Sequence, residues 1–524
     1  MSAFSSPGDR RPSAAARRSA AGWSAAGRPL ACAVRRCVAL LLAAALAAGQ
    51  PAAMAQIENL PKLGDAFGDE LSPQAERRLG DSIMRQVRRD GSYMDDAEIA
   101  DYLSRLAATM TATPAAAGYS FEFFAIRDGT INAFALPGGW IGVHTGLFTA
   151  SQSESELASV IAHEMGHVTQ RHIARMLAQQ KQSSMVSMAA LILALLAARS
   201  SPDAAFGAAM LGETVARQNM LAFSRDAERE ADRVGFEILR QGGFDTQGMV
   251  TFFGRMQQAG RLYENNAPAY MRTHPLTAER INDMQLRIKD ARYRQRPDST
   301  EFTLLRARLR ASADTSVEGM RNARTVFDGL TRDTQRTNPA AWFGLASIAA
   351  AERSFDVSDK ALVEAQRLLG APHPYFERLA IANRLDAGDA RAAADRGRQA
   401  VARFPDSRAL TRAYGEALVA SGQGAEAVAF LKERLNVFRG DGRLWHLLAE
   451  AHGLLNQRAE AHRAAAEEYI LVGAWQSAAE QLRLAQRAGD TDFYTASVID
   501  ARLREIQVEV RREIEEQRGQ GPPR

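Results

Sequence analysis

The feature that most constrains the fold is a spacing of 34 residues that recurs in the second half of the chain. Gly388 is followed at this spacing by Gly422, and Ala425 by Ala459. Asn456 takes the place that glycine would hold one period later. A period of 34, with small residues where paired helices touch, is typical of repeated helix pairs. The second half is therefore predicted to stack such pairs into a curved array, an α-solenoid.

This region resembles the tetratricopeptide repeat family in its period and its small-residue positions. The resemblance runs from about Asn338 to Ala488, and Ala346 and Ala380 show the same spacing upstream of the glycines. The tryptophan and proline of the full family pattern are only partly present. Arrays of this family usually bind a peptide or protein on their concave face, so the resemblance implies a protein partner.

The first 55 residues differ in composition from the rest of the chain. They hold seven arginines and one aspartate, and they include the apolar run Cys37–Ala48 followed by small residues up to Gln56. This pattern predicts an export signal cleaved before Gln56, since a run of about twelve apolar residues is too short for a membrane anchor. Both cysteines, Cys32 and Cys37, lie in this leader, so no disulfide is expected in the mature chain.

The charge balance outside the leader excludes one class of function. Of the 65 basic and 61 acidic residues, seven and one lie in the leader, which leaves 58 and 60. A chain without a basic excess lacks the electrostatic signature of a nucleic-acid binder.

A second apolar stretch, Met185–Ala198, is also too short to span a bilayer. We expect a buried helix there, with a segment that touches the membrane or forms a lid as the alternative.

The region before residue 300 mixes helices with strands. The pattern is helical from Ser72 to about Thr113, and residues 119–148 alternate apolar and polar positions. Breaks at residues 128–129 and 137–139 predict hairpin strands in that stretch. Ser153 then caps a new helix, and Glu156 three positions later completes a capping box.

The helix that Ser153 begins carries the pattern HEMGH, in which His163 and His167 are four positions apart. Side chains at this spacing lie on one helix face, so both imidazoles can bind one metal ion. Glu164 lies beside that face and can accept a proton from a water. A solvated helix that carries histidines by chance is the alternative. His172 misses the offset of a further ligand, and we interpret it as a surface residue.

A catalytic zinc site needs a third protein ligand and an open coordination position. A helix over residues 224–243 would place Glu228 and Asp232 together on its apolar face. Burying unpaired carboxylates is costly, and a metal ion would offset that cost. We predict that Glu228 is the third ligand and that Asp232 orients a ligating histidine. A pair of salt-bridged carboxylates is the alternative.

Four ordered segments resemble the HtpX-like and CAAX-prenyl-endopeptidase-like zinc metallopeptidases, which have a zincin-type domain. The segments are NAFALPGGWIGVHTGL, HEMGH, SRDAEREAD and RTHPLTAERI, and the resemblance covers about residues 70–290. It implies one zinc ion per chain, with His163, His167 and Glu228 as ligands and Glu164 as the catalytic base. Unlike its membrane-bound relatives, the chain has only one short apolar stretch after its leader.

Two further groups of residues are candidates for the site. His274 can stabilise the oxyanion, or as a neutral imidazole it can occupy the open position of zinc and keep the enzyme latent; a structural loop histidine is the alternative. Arg280 is expected to support the same loop. Residues 132–143 predict an edge strand that binds substrate by strand addition. The candidate substrate contacts are Asn132, Ala133, Phe134, Gly138 and Gly139, with a plain core position as the alternative for Phe134.

The expected fold is mainly α with a small β-sheet, in three parts. Residues 1–55 form the signal peptide, residues 56–295 the zinc metallopeptidase domain, and residues 300–524 the repeat domain, with its clearest repeats at 338–488. The family resemblance implies a periplasmic zinc endopeptidase that degrades misfolded or stalled envelope proteins and assists outer-membrane β-barrel assembly.

Expected partners are unfolded or misassembled proteins at the active site and the outer-membrane β-barrel assembly machinery at the repeats. Contact with a membrane is expected only without spanning it. The alternative function is a repeat-based assembly chaperone or adaptor with a latent or structural zinc site. The presence of Glu164 argues against this alternative, because a structural zinc needs no base.

Overall fold

The computed structural model describes residues 71–179, 225–262, 269–290, 294–332 and 338–518, which lie in one compact unit. The leader 1–55 and the apolar stretch Met185–Ala198 lie outside the described residues. The described chain is mainly helical with a small β-sheet, as the sequence predicts. Among these residues, no helix is both long enough and apolar enough to cross a membrane.

The first part of the chain combines one sheet with nine helices among the residues described. The strands are β1 (Tyr93–Met94), β2 (Glu122–Ile126), β3 (Ala133–Leu136) and β4 (Trp140–His144). The helices are α1 (Pro73–Val87), α2 (Ala97–Thr111), α3 (Thr145–Ala150), α4 (Glu154–Thr169), α5 (His172–Gln179), α6 (Arg225–Gln241), α7 (Gln247–Leu262), α8 (Ala269–Thr273) and α9 (Ala278–Asp290).

The strand order in the sheet is β1–β2–β4–β3. β3 and β4 pair antiparallel across the turn at residues 137–139, as predicted for a hairpin. β2 pairs parallel with β4 instead of with β3, so the hairpin expected at residues 128–129 is wrong. The reason lies in β4, which is buried along its length. Its Gly142 lies against the rings of Phe124 and Phe134 from the two neighbouring strands, and this central position leaves β3 at the edge.

Helix α4 carries the HEMGH pattern and is buried at every position. The Ser153 hydroxyl accepts a hydrogen bond from the Glu156 N–H, which confirms the predicted cap. The Glu156 side chain accepts from the N–H of Gln152, one residue earlier than a capping box requires. α4 packs against β3 on one side and α6 on another. Its polar side chains are therefore held away from bulk water.

The second part of the described chain contains only helices. In chain order these are α10 (Thr300–Ala311), α11 (Val317–Arg332), α12 (Pro339–Ala351), α13 (Phe355–Leu369), α14 (Pro374–Asp386), α15 (Ala390–Arg403), α16 (Arg408–Ala420), α17 (Gly424–Leu435), α18 (Gly442–Leu454), α19 (Arg458–Leu471), α20 (Trp475–Arg487) and α21 (Phe493–Arg518). Neighbouring helices along the chain pack against one another, which confirms the predicted array of helix pairs.

The 34-residue period has a direct structural cause. Gly388, Gly422 and Asn456 follow the ends of α14, α16 and α18, and their φ angles are 85°, 75° and 56°. A left-handed residue after a helix lets the chain turn back into the partner helix, and glycine and asparagine adopt this conformation most readily. The recurring residue therefore marks the turn inside each helix pair.

One hydrophobic cluster joins the two parts of the chain. It includes Ile161 of α4, Phe302 of α10, Phe343 of α12 and Phe376 of α14. Burial of a phenylalanine side chain contributes about 1.5 to 3 kcal/mol, so these contacts stabilise the association. The first helices of the array are thus packed directly onto the part that carries HEMGH.

Candidate active site

The site lies where α4 crosses α6, and two glycines allow these helices to approach closely. A Cβ atom on Gly166 would lie 2.7 Å from the carbonyl oxygen of Ala231, and one on Gly235 would lie 2.8 Å from that of Ala162. Contacts this short exclude a larger residue at either position unless the helices move apart. The crossing brings the two histidines of α4 opposite the two buried carboxylates of α6.

Four side chains converge at this crossing, with ligand atoms that lie within 4.8 Å of one another: His163, His167, Glu228 and His274. The Nε2 atoms of the two α4 histidines are 3.0 Å apart. Glu228 lies 3.5 Å from His163 Nε2 and 3.4 Å from His167 Nε2. His274 Nδ1 lies 3.1 Å from Glu228 Oε1. The structure thus brings the three predicted ligands together and adds His274 as a fourth neighbour.

These separations and charges fit a zinc ion. Zinc bonds of about 2.0 to 2.2 Å place neighbouring ligand atoms of a tetrahedron roughly 3.3 Å apart. The contacts between the imidazoles and Glu228 are 3.4 and 3.5 Å. The carboxylates of Glu164, Glu228 and Asp232 are buried at this crossing, and one buried guanidinium, that of Arg280, contacts Glu228 and Asp232. A divalent cation would neutralise the two negative charges that formally remain.

Asp232 lies where the sequence predicts it, beside His163. Its Oδ1 is 3.0 Å from His163 Nδ1, the ring nitrogen on the side away from the cluster. Arg280 of α9 donates to this carboxylate through Nε at 2.6 Å and Nη2 at 2.8 Å. Its Nη1 lies 2.7 Å from Glu228 Oε2 and donates to the carbonyl of Pro275. Arg280 therefore supports the His274 loop as expected, and it also contacts two acidic groups of the site.

His172 is a correction to the sequence analysis, because it is not a surface residue. It is 3% exposed, and its Nδ1 lies 2.9 Å from His167 Nδ1. Its Nε2 lies 3.1 Å from Glu230 Oε2. Spacing rules for one helix do not apply here, because the chain turns at Arg171, whose φ is 51°. The left-handed residue starts α5 in a new direction and brings His172 back beside α4.

Glu164 lies beside the cluster with a carboxylate that has no hydrogen-bond donor among the described residues. Its side chain is fully buried, and His274 Nε2 lies 3.4 Å from its Oε1. Tyr270 of α8 stacks on the His274 ring with centroids 4.7 Å apart. The Tyr270 N–H donates to the carbonyl of Ile131, just before β3. Glu164 is thus placed to act as a proton acceptor, and α8 holds His274 near the sheet edge.

Burial and charge act in opposite directions on the pKa values of this site. Burial lowers the pKa of His163, but its contacts with Asp232 and Glu228 outweigh burial and raise that pKa to about 10. At His167 burial dominates and lowers the pKa well below its usual value. Burial raises the pKa of Glu228, yet His274 and the α4 histidines bring it well below its usual range. The carboxylates therefore favour positive charge at the cluster, which a divalent metal ion supplies.

Three candidate substrate contacts lie on β3 or just before it. Ala133 is buried, whereas Asn132 and Phe134 are partly exposed. The Phe134 ring packs edge-on against Phe124 and His144, with centroids 5.9 Å away in each case. β3 is one of the two outer strands of the described sheet, and it packs against α4. This position is the one that strand addition requires.

Gly138 and Gly139 lie in the turn that follows β3. Their φ angles are 75° and 86°, and a side chain on either would meet the backbone of Arg77 or Ser120. The protein's own chain therefore makes the close approach for which glycine is needed here. A role for these two glycines in substrate binding stays a prediction.

Comparison with known proteins places this site in a family. Residues 94–288 match Peptidase family M48, and residues 384–451 match the tetratricopeptide repeat. The chain is 32% identical over 477 residues to the beta-barrel assembly-enhancing protease of Escherichia coli (strain K12), a match that covers 89% of this chain and 95% of the relative. The chain belongs to peptidase family M48. Family M48 proteins are metalloproteases, and all four converging side chains of this M48 peptidase lie within the matched residues.

Other relatives of this M48 peptidase agree with that assignment. The putative beta-barrel assembly-enhancing protease of Vibrio cholerae is 30% identical over 458 residues, which cover 86% of this chain and 93% of the relative. The mitochondrial metalloendopeptidase OMA1 of Schizosaccharomyces pombe is 33% identical over 196 residues, which cover 37% of this chain and 54% of the relative. The predicted metallopeptidase domain with tetratricopeptide repeats is confirmed.

Proposed function

We propose that this metalloprotease is an exported, zinc-dependent endopeptidase that degrades misfolded or stalled envelope proteins and assists outer-membrane β-barrel assembly. The observation that carries the proposal is the buried cluster of His163, His167 and Glu228 beside the carboxylate of Glu164, which accepts no hydrogen bond from the described residues. These three ligands would hold one zinc ion per chain. Relatives named as beta-barrel assembly-enhancing proteases support the envelope role, and the leader supports export to the periplasm.

The residues of the site divide the work of peptide hydrolysis. A bound zinc ion supplies Lewis acidity, which polarises a peptide carbonyl and acidifies water. Glu164 accepts the proton of the attacking water and then gives it to the leaving amine. Asp232 keeps the His163 ring in one orientation through its contact with Nδ1. Burial of Glu164 strengthens its interaction with developing charge, because little water competes for it.

His274 would keep the resting enzyme latent. Its ring lies among the ligand atoms and is 1% exposed. With an imidazole in the fourth position, no position would be left open for water. In this proposal substrate binding moves His274 away, and the ring is then free to stabilise the oxyanion. The alternative function, an assembly chaperone with a latent zinc site, draws on the same observation.

The edge strand β3 is the proposed binding surface for the substrate backbone. An extended peptide that adds to this edge would lie along Asn132, Ala133 and Phe134 and run beside α4. Strand addition uses main-chain hydrogen bonds, so it reads backbone and tolerates many sequences. Such tolerance suits unfolded or misassembled proteins as substrates. The repeats would bind the outer-membrane β-barrel assembly machinery, as arrays of this kind bind proteins.

Replacement of Glu164 by glutamine tests the proposal in the full-length protein. We expect casein cleavage to fall by about 100-fold or more, the usual contribution of a general base, while elemental analysis still finds one zinc ion per chain. Glu237→Gln is the matched control, because Glu237 lies on the exposed side of α6 and pairs with Arg240. A chelator should abolish cleavage by the parent protein.

Barrel assembly is measured in parallel with the same variants. Survival of assembly in Glu164→Gln, with cleavage lost, would show that the two functions coexist. If Glu164→Gln digests casein as fast as the parent protein, the catalytic assignment is wrong. A parent protein that contains no zinc and ignores the chelator would overturn the proposed cofactor.

A further inference from the structure

A line of hydrogen bonds leads from the metal-binding cluster to the protein surface through His167. The Nε2 of this ring faces the cluster, and its Nδ1 lies 2.9 Å from Nδ1 of His172. The opposite nitrogen of His172, Nε2, lies 3.1 Å from Glu230 Oε2. Arg175 donates to the same oxygen at 2.9 Å. The line thus ends on a carboxylate that is 27% exposed and is fixed by a cation.

The donors and acceptors along this line allow one arrangement of hydrogens when a metal is bound. A ligating His167 uses its Nε2 lone pair, so its hydrogen lies on Nδ1. Two imidazole nitrogens at hydrogen-bond distance share one hydrogen, so Nδ1 of His172 must accept. The hydrogen of His172 then lies on Nε2 and points to Glu230, which can only accept. Every member of the line has its partner in this arrangement.

The backbone is built to bring His172 to this position. α4 ends at Thr169, and Arg171 adopts a left-handed φ of 51° before α5 begins at His172. For a residue other than glycine, the left-handed backbone conformation costs about 1 kcal/mol or more of conformational free energy. Such a conformation persists only where contacts with neighbouring residues stabilise it. Arg171 is held by Glu76, at 3.3 Å from its Nε, and by the carbonyl of Leu71. Two contacts, one with Glu76 of α1 and one with Leu71 two residues before α1, therefore keep the turn that buries His172.

We propose that His172 is the positioning residue of His167, and that with Glu230 it fixes the hydrogen and orientation of that ring so that the metal is retained. The other α4 ligand, His163, has a carboxylate in this role, since Asp232 Oδ1 lies 3.0 Å from its Nδ1. At His167, the imidazole of His172 lies between the predicted ligand and the carboxylate of Glu230. The inference rests on the proposed zinc site. It gives a role to His172, which is not one of the predicted ligands.

Three variants of the full-length protein separate this role from simple packing. His172→Phe keeps the ring volume and removes both nitrogens. His172→Asn puts a side-chain oxygen near the position of Nδ1, so it can still accept from His167. Glu230→Gln keeps an acceptor at the end of the line and removes its charge. His452→Phe is the matched control, because His452 is also buried and hydrogen-bonded, to Gln457, but lies on α18 of the repeats.

The measurement is zinc affinity, obtained by competition with a chromogenic chelator, together with the thermal midpoint of each variant. Loss of a group that orients a metal ligand usually weakens metal binding by about 10- to 100-fold. We expect a loss of that size in His172→Phe, a smaller loss in Glu230→Gln, and affinity within about threefold of the parent in His172→Asn. The His452→Phe control should keep the affinity of the parent protein.

A second readout reports the geometry of the ligands. The visible absorption spectrum of the Co²⁺-substituted protein should change in His172→Phe and return toward that of the parent in His172→Asn. Unchanged zinc affinity in a folded His172→Phe variant would overturn the inference, as would an Asn variant as weak as the Phe variant. Absence of zinc from the parent protein itself would contradict the proposed function instead, so the two failures are distinguishable.

Discussion

Arg280 is the residue on which the charge balance of the site depends. Its side chain is 2% exposed, and it contacts Asp232 through two nitrogens and Glu228 through the third. A buried cation of this kind compensates the desolvation of the carboxylates that it contacts. Its Nη1 contacts Oε2 of Glu228, the oxygen that also lies 3.5 Å from His163 Nε2, while Oε1 lies toward His167 and His274. Arg280 thus helps to orient the carboxylate of Glu228, the predicted third ligand.

Replacement of Arg280 by alanine should therefore destabilise the protein and weaken zinc binding. Removal of one partner from a buried ion pair costs about 3 to 5 kcal/mol, because the remaining charge is left unpaired. Arg287→Ala is the matched control on the same helix, since Arg287 is 36% exposed and pairs with Asp283; an exposed pair contributes about 1 kcal/mol or less. Thermal midpoints and zinc affinities check both variants. Equal midpoints for the two would contradict the role given to Arg280.

The residues of the site differ in how far sequence alone could identify them. His163 and His167 follow from spacing within one helix, and Glu228 and Asp232 follow from carboxylates on an apolar helix face. The burial of His172 does not follow from the sequence, because a left-handed turn at a non-glycine residue has no local signal in it. The contact of Arg280 with Glu228 depends on the packing of α9 against α6, which no local pattern encodes.

At the scale of elements, the crossing of α4 and α6 decides whether the predicted ligands meet. Gly235 lies against the backbone of both Ala162 and His163, and a Cβ atom there would come within 2.8 to 2.9 Å of them. Because His163 is itself one of the contacted residues, any separation of the helices moves this predicted ligand away from Glu228. The small residues at this crossing therefore set the ligand distances of the site.

The variant Gly235→Ala tests this dependence with one methyl group. We expect it to destabilise the protein by about 1 to 3 kcal/mol through overpacking and to lower zinc affinity. Gly254→Ala is the control, because among the described residues Gly254 of α7 has no neighbour that a Cβ atom would meet. Alanine is favoured over glycine in a helix by about 1 kcal/mol, so this control should be neutral or stabilising. Calorimetry measures the stability and chelator competition measures the zinc affinity. If Gly235→Ala has the same stability and zinc affinity as the parent protein, the crossing tolerates the extra volume and the prediction is wrong.

The elements also show where sequence patterns succeed and fail. The repeats were predicted because each period carries its own turn residue, and Gly422 and Asn456 mark those turns locally. The parallel pairing of β2 with β4 was missed because strand partners are chosen by tertiary packing. Two strands of alternating apolar and polar residues, separated by a turn at 128–129, can pair as a hairpin or be joined by a crossover. The packing of Phe124 of β2 against Gly142 of the buried strand β4 favours the crossover.

Across the whole molecule, arginines of the repeats bind the acidic beginning of α2. Four ion pairs join the two parts at 2.6 to 2.9 Å: Arg308 with Asp96, Arg378 with Glu98, Arg412 with Asp95 and Arg408 with Asp101. The arginines come from α10, α14 and α16, so successive helices of the array contribute to one contact. Together with the shared hydrophobic cluster, these pairs hold the repeats in one orientation on the metallopeptidase part.

The pairing of Asp96 with Arg308 predicts a dependence of stability on pH. Burial raises the pKa of Asp96, but the charge of Arg308 and its hydrogen bond outweigh burial and lower that pKa from 3.8 to about 2. A carboxyl whose pKa is lowered by folding stabilises the folded state above its unfolded pKa. That contribution, about 2 kcal/mol from the size of the shift, is lost as the pH falls from about 4 toward 2.

The variant Asp96→Asn should remove this dependence and keep the helix cap, because asparagine also accepts the hydrogen bond that Asp96 accepts from the Ile99 N–H. Urea midpoints of parent and variant should differ most near neutral pH and converge as the pH approaches 2. Asp389→Asn makes the same change at the exposed cap of α15 and should have a smaller effect near neutral pH. If the difference in urea midpoint between the parent protein and Asp96→Asn stays constant from pH 6 to about pH 2, the ion pair of Asp96 with Arg308 does not contribute this part of the stability.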